Sequence, residues 1–240
     1  MDLRNYFDQL TPEKRVMQFG RKTDEPLRLA FDSKRVVHAA MGGSMVPPPM
    51  AQKVWRDIMA KPVEGHPTQM AYIHILFCKT KCLYCPFFQN GTNQDEEDHY
   101  IDHLVKDIEM GADSPRLSSA PIQAVFIGGG TPTSLSPENA GRLLSTIQRC
   151  LPLANDYELT FEGRVHDLVP EKMDVWFRNG VNRMSLGVQS FDTKVRQAVG
   201  RIDDGETVFS HLQELLSYNQ CAVVIDLMYG LPYQTMDVWH

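Results

Sequence analysis

The sequence has no apolar run long enough to cross a membrane, and it has few basic residues. A membrane helix needs about 18 consecutive apolar residues, and the hydrophobic residues of this chain, 42% of the total, form no such run. The 24 Lys and Arg are outnumbered by 30 Asp and Glu, so a net charge of −6 does not suggest a nucleic-acid partner. The first residues, MDLRNYFDQL, lack the layout of a secretory signal. We therefore expect a cytoplasmic protein without membrane insertion.

Cysteine is also scarce, and its placement is uneven. The chain has five cysteines in 240 residues, and a chain of this length can build its own core without a disulfide framework. Three of them, Cys78, Cys82 and Cys85, follow a C-x₃-C-x₂-C spacing directly after the apolar run 71–77. Cys150 and Cys221 lie far away in apolar segments and are typical of ordinary buried thiols.

Three thiolates on one short loop can hold three corners of a cubic [4Fe–4S] cluster. The fourth iron then has no protein ligand and is open to a small molecule. A zinc site is the first alternative, but structural zinc prefers four closed ligands, and His74 lies on the preceding strand, where it is a poor fourth ligand. Three unconnected thiols are the second alternative. The spacing favours the open cluster.

The charge is unevenly distributed along the chain. Residues 1–70 carry 11 basic against 8 acidic residues, and the remainder carries 13 against 22. The N-terminal part can therefore face an anionic ligand, although a solvated surface explains the same charges. We predict an N-terminal extension over residues 1–66 and a core domain over 67–240. Within the extension, Pro47–Pro49 predict an extended segment without regular helix, followed by a helix over 51–59.

From residue 71 onward, strand-like and helix-like segments alternate, which predicts an α/β fold with a parallel sheet. The predicted strands are 71–77, 122–127, 157–162, 183–188 and 222–228. The predicted helices are 94–110, 137–150, 170–179, 193–199 and 205–218. A sixth repeat has only begun where the sequence stops, so we expect this chain to be the N-terminal part of a longer protein.

Candidate ligand-binding residues follow the predicted strands, where parallel β/α folds gather their chemistry. After the first strand comes Cys78; the turn 128–133, Glu162, Gln189 and Asp226 fall at the ends of the others. Glycines in the turn allow close approach of the backbone to a ligand, although a bare tight turn is equally compatible. For Glu162 the alternative is an ion pair with Arg164 or Arg183. Asp226 lies in an apolar strand, where a lone carboxylate is costly unless it is paired.

Arg201 is a further candidate, because its guanidinium can bind a carboxylate through two parallel hydrogen bonds. The alternative for this residue is a surface charge beside Asp203.

Four ordered motifs resemble the radical S-adenosylmethionine (SAM) superfamily, and within it the oxygen-independent coproporphyrinogen III dehydrogenase group. They are the three-cysteine motif, GGGTPT at 128–133, SLGVQSFD at 185–192 and DLMYGLPYQT at 226–235. The resemblance implies a partial (β/α)₆ barrel, here truncated after the fifth strand. It also implies a [4Fe–4S] cluster and two bound SAM molecules.

The resemblance assigns roles residue by residue. The residues that match the cluster ligands of the family are Cys78, Cys82 and Cys85. Positions around the cluster-bound SAM are Tyr72, Tyr84, Gly129 and Glu162. Positions lining a second SAM are Gly130, Thr131, Gln189, Arg201 and Asp226.

One departure concerns the residue two places after the third cysteine. The porphyrinogen dehydrogenases have a further cysteine there, whereas this chain has Phe87. Together with the long N-terminal segment, this indicates the haem-degrading methyltransferases of the group, which transfer a methyl group, open the porphyrin and release iron. A haem chaperone and a coproporphyrinogen dehydrogenase are the alternatives. The implied partners are haem or a related tetrapyrrole and a flavodoxin-like, ferredoxin-like or flavin-dependent reductant.

Overall fold

The structure is a computed structural model, and it describes residues 3–24, 29–31, 45–65, 68–87, 90–91 and 93–239. Its contacts divide the chain into two compact units, residues 1–51 and 52–240. The predicted domain boundary at 66/67 stays a prediction. No helix in these described ranges is both long enough and apolar enough to span a membrane.

Two short helices occupy the first unit. Helix α1 is Leu3–Gln9 and helix α2 is Pro12–Phe19. The hydroxyl of Thr11 caps α2 by accepting a hydrogen bond from the Lys14 amide, and proline is at the first helical position, where its missing N–H costs nothing. Phe7 and Phe19 pack edge to face with ring centroids 5.1 Å apart.

Helix α3, Pro48–Met59, starts earlier than the sequence predicted. The expectation of an extended segment at Pro47–Pro49 is wrong for Pro48 and Pro49, which form the first helical turn. The N–H groups of that turn have no partner within the helix, so proline is tolerated there while it breaks a helix interior.

The second unit is built on a five-stranded parallel sheet in the order β1-β4-β5-β6-β7. Its strands are β1 (Gln69–Ile75), β4 (Ile122–Gly129), β5 (Leu153–Gly163), β6 (Arg183–Gln189) and β7 (Ala222–Leu227). Two further two-residue strands, β2 (Phe77–Cys78) and β3 (Asn90–Gly91), pair in parallel with each other. All five predicted strands are present, and the α/β partial-barrel prediction is confirmed.

Helices connect the strands and cover the sheet. They are α4 (Gln94–Ala112), α5 (Pro115–Ser118), α6 (Pro137–Cys150), α7 (Pro170–Arg178), α8 (Thr193–Ala198), α9 (Gly205–Ser217) and α10 (Met236–Trp239). Side chains of Asn93, Ser136, Asp192 and Asp204 cap the first turns of α4, α6, α8 and α9.

The core lies between the sheet and these helices, and the strands contribute to it unequally. Ile75, Ile127, Phe161 and Leu186 are fully buried and come from four neighbouring strands. By contrast, most side chains of β7, which lies at one edge of the sheet, are exposed. The parallel direction of the strands places all five carboxyl ends at one edge of the sheet.

Candidate functional site

The cysteine motif forms a loop at the carboxyl edge, and we call residues 78–85 the cysteine loop. It starts at β2, whose Cys78 pairs with Gly91 of β3. Cys78 and Cys82 are only 5% and 2% exposed, and Cys85 is half-buried. A turn closed by the Cys85 amide, which donates to the Cys82 carbonyl at 3.1 Å, brings the last two cysteines together.

The neighbouring turn contributes a hydrogen bond to the first cysteine. The Thr131 hydroxyl donates to the Cys78 sulfur at 3.3 Å, and both groups are buried. Hydrogen bonds to sulfur are one means by which a protein tunes an iron–sulfur centre. The prediction that Thr131 binds a second SAM stays a prediction, since its hydroxyl is engaged by the cysteine loop here.

The described residues contain no group of three or more His, Cys, Asp or Glu side chains already arranged to hold a metal ion. The donor set nevertheless fits a cluster with one open iron: three thiols lie on one loop, and Cys150 and Cys221 lie elsewhere as free thiols. Burial raises the pKa of Cys221 to about 11, which opposes the thiolate form that a metal ligand needs. The assignment of Cys78, Cys82 and Cys85 as ligands stays a prediction.

The glycine turn packs against the protein itself. A Cβ at Gly129 would lie 2.6 Å from the His74 ring, and one at Gly130 would lie 2.5 Å from the Phe77 carbonyl oxygen. Gly129 also has a φ of +114°, a region that L-residues rarely occupy. These glycines are therefore needed for close contact with β1 and β2, and the predicted contacts of Gly129 and Gly130 with SAM would use their peptide groups.

Glu162, at the end of β5, and Tyr72, in the middle of β1, lie close together. Glu162 accepts a hydrogen bond from the Gly129 amide at 3.2 Å. Burial raises the pKa of Glu162, and the nearby Asp226 carboxylate raises it further. The pKa of Tyr72 is raised by burial first and then by the charge of Glu162. The structure thus brings Tyr72, Glu162, Gly129 and Asp226 to one region.

One alternative from the sequence is wrong for Glu162. It does not pair with either arginine, because Arg164 donates to the Thr80 hydroxyl and carbonyl and Arg183 lies 3.7 Å from Glu158. Asp226 is exposed on β7, and its role stays a prediction.

Gln189, Arg201 and Tyr84 form a second group. Gln189 ends β6 with a φ of +71°, and its side-chain oxygen is buried without a hydrogen-bond partner in the described structure. The Arg201 guanidinium donates to the Tyr84 hydroxyl at 2.6 Å, while its Nε is likewise buried and unpartnered. Asp203 pairs with His166. Because the Arg201 Nε is buried, Arg201 is not simply a surface charge beside Asp203.

This second group lies beside the first, which is formed by Tyr72, Glu162, Gly129 and Asp226. The Gln189 and Arg201 side chains both end over Gly187. A Cβ added to Gly187 would lie 2.7 Å from Gln189 Nε2 and 3.2 Å from Arg201 Nη2. Gly187 is in register with Asp226 on β7. A polar ligand at this position could donate to the unpaired Gln189 oxygen and accept from the unpaired Arg201 Nε.

Sequence reasoning missed a charged cluster that supports the cysteine loop. Asp167, only 3% exposed, accepts from Lys79 at 3.1 Å and from the Thr133 hydroxyl at 3.1 Å. Lys172 donates to the Thr133 carbonyl at 2.8 Å, and burial lowers its pKa to about 8. Lys79 and Asp167 are 88 positions apart, so no local motif reports their contact.

A small cavity of about 50 Å³ lies beside this cluster. Four cations line it and outnumber the carboxylates of Asp167 and Asp203. They come from the cysteine loop, the segment after β5, α8 and the segment after α8: Lys79, Arg164, Arg196 and Arg201. The excess of positive charge suits a carboxylate or another small anion.

A parallel α/β partial barrel with three thiols, a glycine turn and carboxylates at its carboxyl edge defines the class of the protein. Residues 72–240 match the model of the radical SAM superfamily, and the chain belongs to that superfamily. Members of the superfamily bind a [4Fe–4S] cluster and SAM.

Three relatives show where the chain falls within this superfamily. It is 38% identical to anaerobilin synthase of Escherichia coli O157:H7 over 239 residues, covering 100% of this chain and 51% of that protein. It is 36% identical to the haem chaperone HemW of Bacillus subtilis (strain 168), covering 69% of this chain and 44% of the chaperone. The structure of the radical SAM enzyme coproporphyrinogen III oxidase from Escherichia coli matches with a TM-score of 0.68 and 29% identity, over 78% of this chain and 42% of that one.

The chain therefore spans about half the length of the curated relatives it matches. It is related to an anaerobilin synthase, to haem chaperones and to a coproporphyrinogen oxidase, all within one superfamily of radical SAM proteins.

Proposed function

We propose that this chain belongs to a radical SAM methyltransferase that degrades haem without oxygen, by methyl transfer to the porphyrin, ring opening and iron release. The observation that carries the proposal is the extent of the likeness to anaerobilin synthase, which includes the first 70 residues. The likeness to the haem chaperone covers 69% of the chain.

The cluster would be held by Cys78, Cys82 and Cys85 and, when bound, would supply the electron that cleaves the C5′–S bond of SAM. The protein's task is then to orient the reactants and exclude water. Thr131 fixes the first sulfur by its hydrogen bond, and the burial of Cys78 and Cys82 keeps solvent from the loop.

The polar residues at the strand ends suit two SAM molecules. Glu162, Tyr72 and the Gly129 peptide form one set of hydrogen-bonding groups near the first strand. Gln189 and Arg201 offer an unsatisfied acceptor and donor in a second set beside Asp226. Arg201 would bind the carboxylate of the second SAM, because a guanidinium pairs with planar carboxylates.

Exposed apolar side chains flank the cysteines and suit a flat macrocycle. Leu83 and Phe87 are 73% and 74% exposed, and exposed apolar side chains grouped on one surface can mark a ligand-binding site. Phe87 occupies the place at which coproporphyrinogen dehydrogenases are expected to carry a cysteine, which argues for a different reaction on a related tetrapyrrole.

The test is anaerobic reconstitution of the full-length protein with iron and sulfide, followed by incubation with haem, SAM and a reductant. We expect a methylated linear tetrapyrrole by mass spectrometry and free ferrous iron, and neither from the Cys82→Ser control. Intact haem that stays bound would support the chaperone function instead. Carbon dioxide from coproporphyrinogen III would support the dehydrogenase. Either result, with the cluster shown intact, would refute the proposal.

A further inference from the structure

The segment after α8 holds the second half of the cysteine loop through three separate contacts. The Leu83 amide donates to the Val199 carbonyl at 3.1 Å. Gly200, with a φ of +80°, lies so close to the loop that its Cβ would be 3.4 Å from the Lys81 carbonyl oxygen. The third contact is the 2.6 Å hydrogen bond from Arg201 to the Tyr84 hydroxyl.

Tyr84 is in the turn between Cys82 and Cys85, so this bond holds a cation beside the turn that presents two of the three thiols. The Tyr84 ring packs among Val195, Val199 and Leu231, which fixes its direction.

Arg201 also lies beside the Gln189 side-chain amide, because its Nη2 and the Gln189 Nε2 both lie over Gly187. Its Nε is buried without a partner among the described residues. We call the space beside these two side chains the Gln189–Arg201 pocket. The same guanidinium therefore has one nitrogen bound to the cysteine loop and another available to a ligand. A carboxylate that binds Arg201 would neutralise the charge that Tyr84 holds near the thiols.

We infer that Tyr84 is a positioning residue that couples occupation of the Gln189–Arg201 pocket to the reduction potential of the cluster. The inference rests on the proposed function, since it requires the cluster and a carboxylate ligand such as SAM. A nearby positive charge favours the reduced cluster, which has gained one electron from the reductant and carries one more negative charge. Neutralising that charge makes the potential more negative.

The test compares Tyr84→Phe with wild type in the reconstituted full-length protein, by EPR-monitored titration of the cluster with dithionite. Without SAM, we expect the potential of Tyr84→Phe to be more negative than that of wild type. With saturating SAM the two potentials should converge, because the ligand neutralises Arg201 in both. The direct effect of SAM on the cluster is common to both proteins and cancels in the comparison.

Two other variants separate this coupling from a general loss of structure. Arg201→Gln should shift the potential in the same direction as Tyr84→Phe, and the double variant should shift it no further than the larger single change. Arg201→Lys keeps the charge and should restore part of the shift. Tyr157→Phe is the matched control, because its hydroxyl bonds to Gln148 away from the cysteine loop and its loss should leave the potential unchanged.

The outcomes distinguish this inference from the proposed function. A wild-type protein that holds no cluster overturns both. An intact cluster with equal potentials in Tyr84→Phe and wild type overturns the coupling alone, and so does a difference that persists undiminished when SAM is added. If Tyr84→Phe cannot hold a cluster, the Arg201 variants decide: a potential for Arg201→Gln equal to that of wild type overturns the inference.

Discussion

The two halves of the cysteine loop are attached to the barrel in different ways. In the first half, Lys79 pairs with the buried Asp167, and the Thr80 carbonyl and hydroxyl both accept from Arg164. In the second half, Leu83 and Tyr84 bind the segment after α8, where Arg201 retains an unpartnered donor.

This contrast indicates a division of roles. Charged groups with satisfied partners fix the first half, which follows the thiol of Cys78 directly. The second half is held by the Leu83–Val199 backbone hydrogen bond, by packing against Gly200 and by Arg201, whose Nε has no partner among the described residues. We expect the first attachment to dominate stability and the second to respond to ligands.

The largest effect should come from removing the first attachment. Asp167→Ala leaves Lys79 and the buried Lys172 without their carboxylate partner, and we expect a loss of about 3 kcal/mol in the free energy of unfolding, measured by urea denaturation. Asp57→Ala is the control, because it breaks the exposed Lys53–Asp57 pair and should cost less than about 0.5 kcal/mol. Equal losses in the two variants would contradict the proposed division.

An intermediate effect should appear as pH dependence. Burial lowers the pKa of Lys172 from 10.5 to about 8, so the unfolded chain binds more protons than the folded one between these values. The contribution of Lys172 to stability should therefore rise with pH across this window, by about 2 kcal/mol between pH 8 and pH 10. The raised pKa of Cys221 acts in the opposite direction. Urea denaturation at both pH values measures the change.

Lys172→Met supplies the comparison for this pH effect. It removes the titrating group, so the increase in the free energy of unfolding between pH 8 and pH 10 should be about 2 kcal/mol smaller in the variant than in wild type. A rise of the same size in the variant would assign the pH dependence to other residues.

The smallest effect should come from the second attachment. Gly200→Ala introduces a Cβ at ordinary contact distance but at a φ of +80°, and the strain should cost about 1 kcal/mol in thermal or urea unfolding. Gly91→Ala is matched, since nothing lies within 4 Å of its Cβ and its φ is not left-handed. A loss for Gly200→Ala as large as for Asp167→Ala would make the two attachments equivalent.

The strands and the edge that carries the site could be predicted from sequence, because apolar runs and the residues that follow them are local features. The alternation placed Glu162 and Gln189 at strand ends, and the structure has them there. Long-range partners could not be predicted in this way. Asp167 is engaged by Lys79 from 88 positions away, and only folding brings the two together.

Gln189 shows a second limit of sequence reasoning. Nothing in SLGVQSFD indicates that a non-glycine residue adopts a φ of +71°.

The two-residue ladder between β2 and β3 has a consequence for how this molecule tolerates change. Phe77 and Cys78 pair with Asn90 and Gly91, so the segment that carries Cys82 and Cys85 lies between the two strands of this short ladder. The ladder is separate from the main sheet, so length changes in that segment leave the register of the main sheet unchanged. A slip of one residue within the ladder would turn Cys78 to the opposite face and separate it from Thr131.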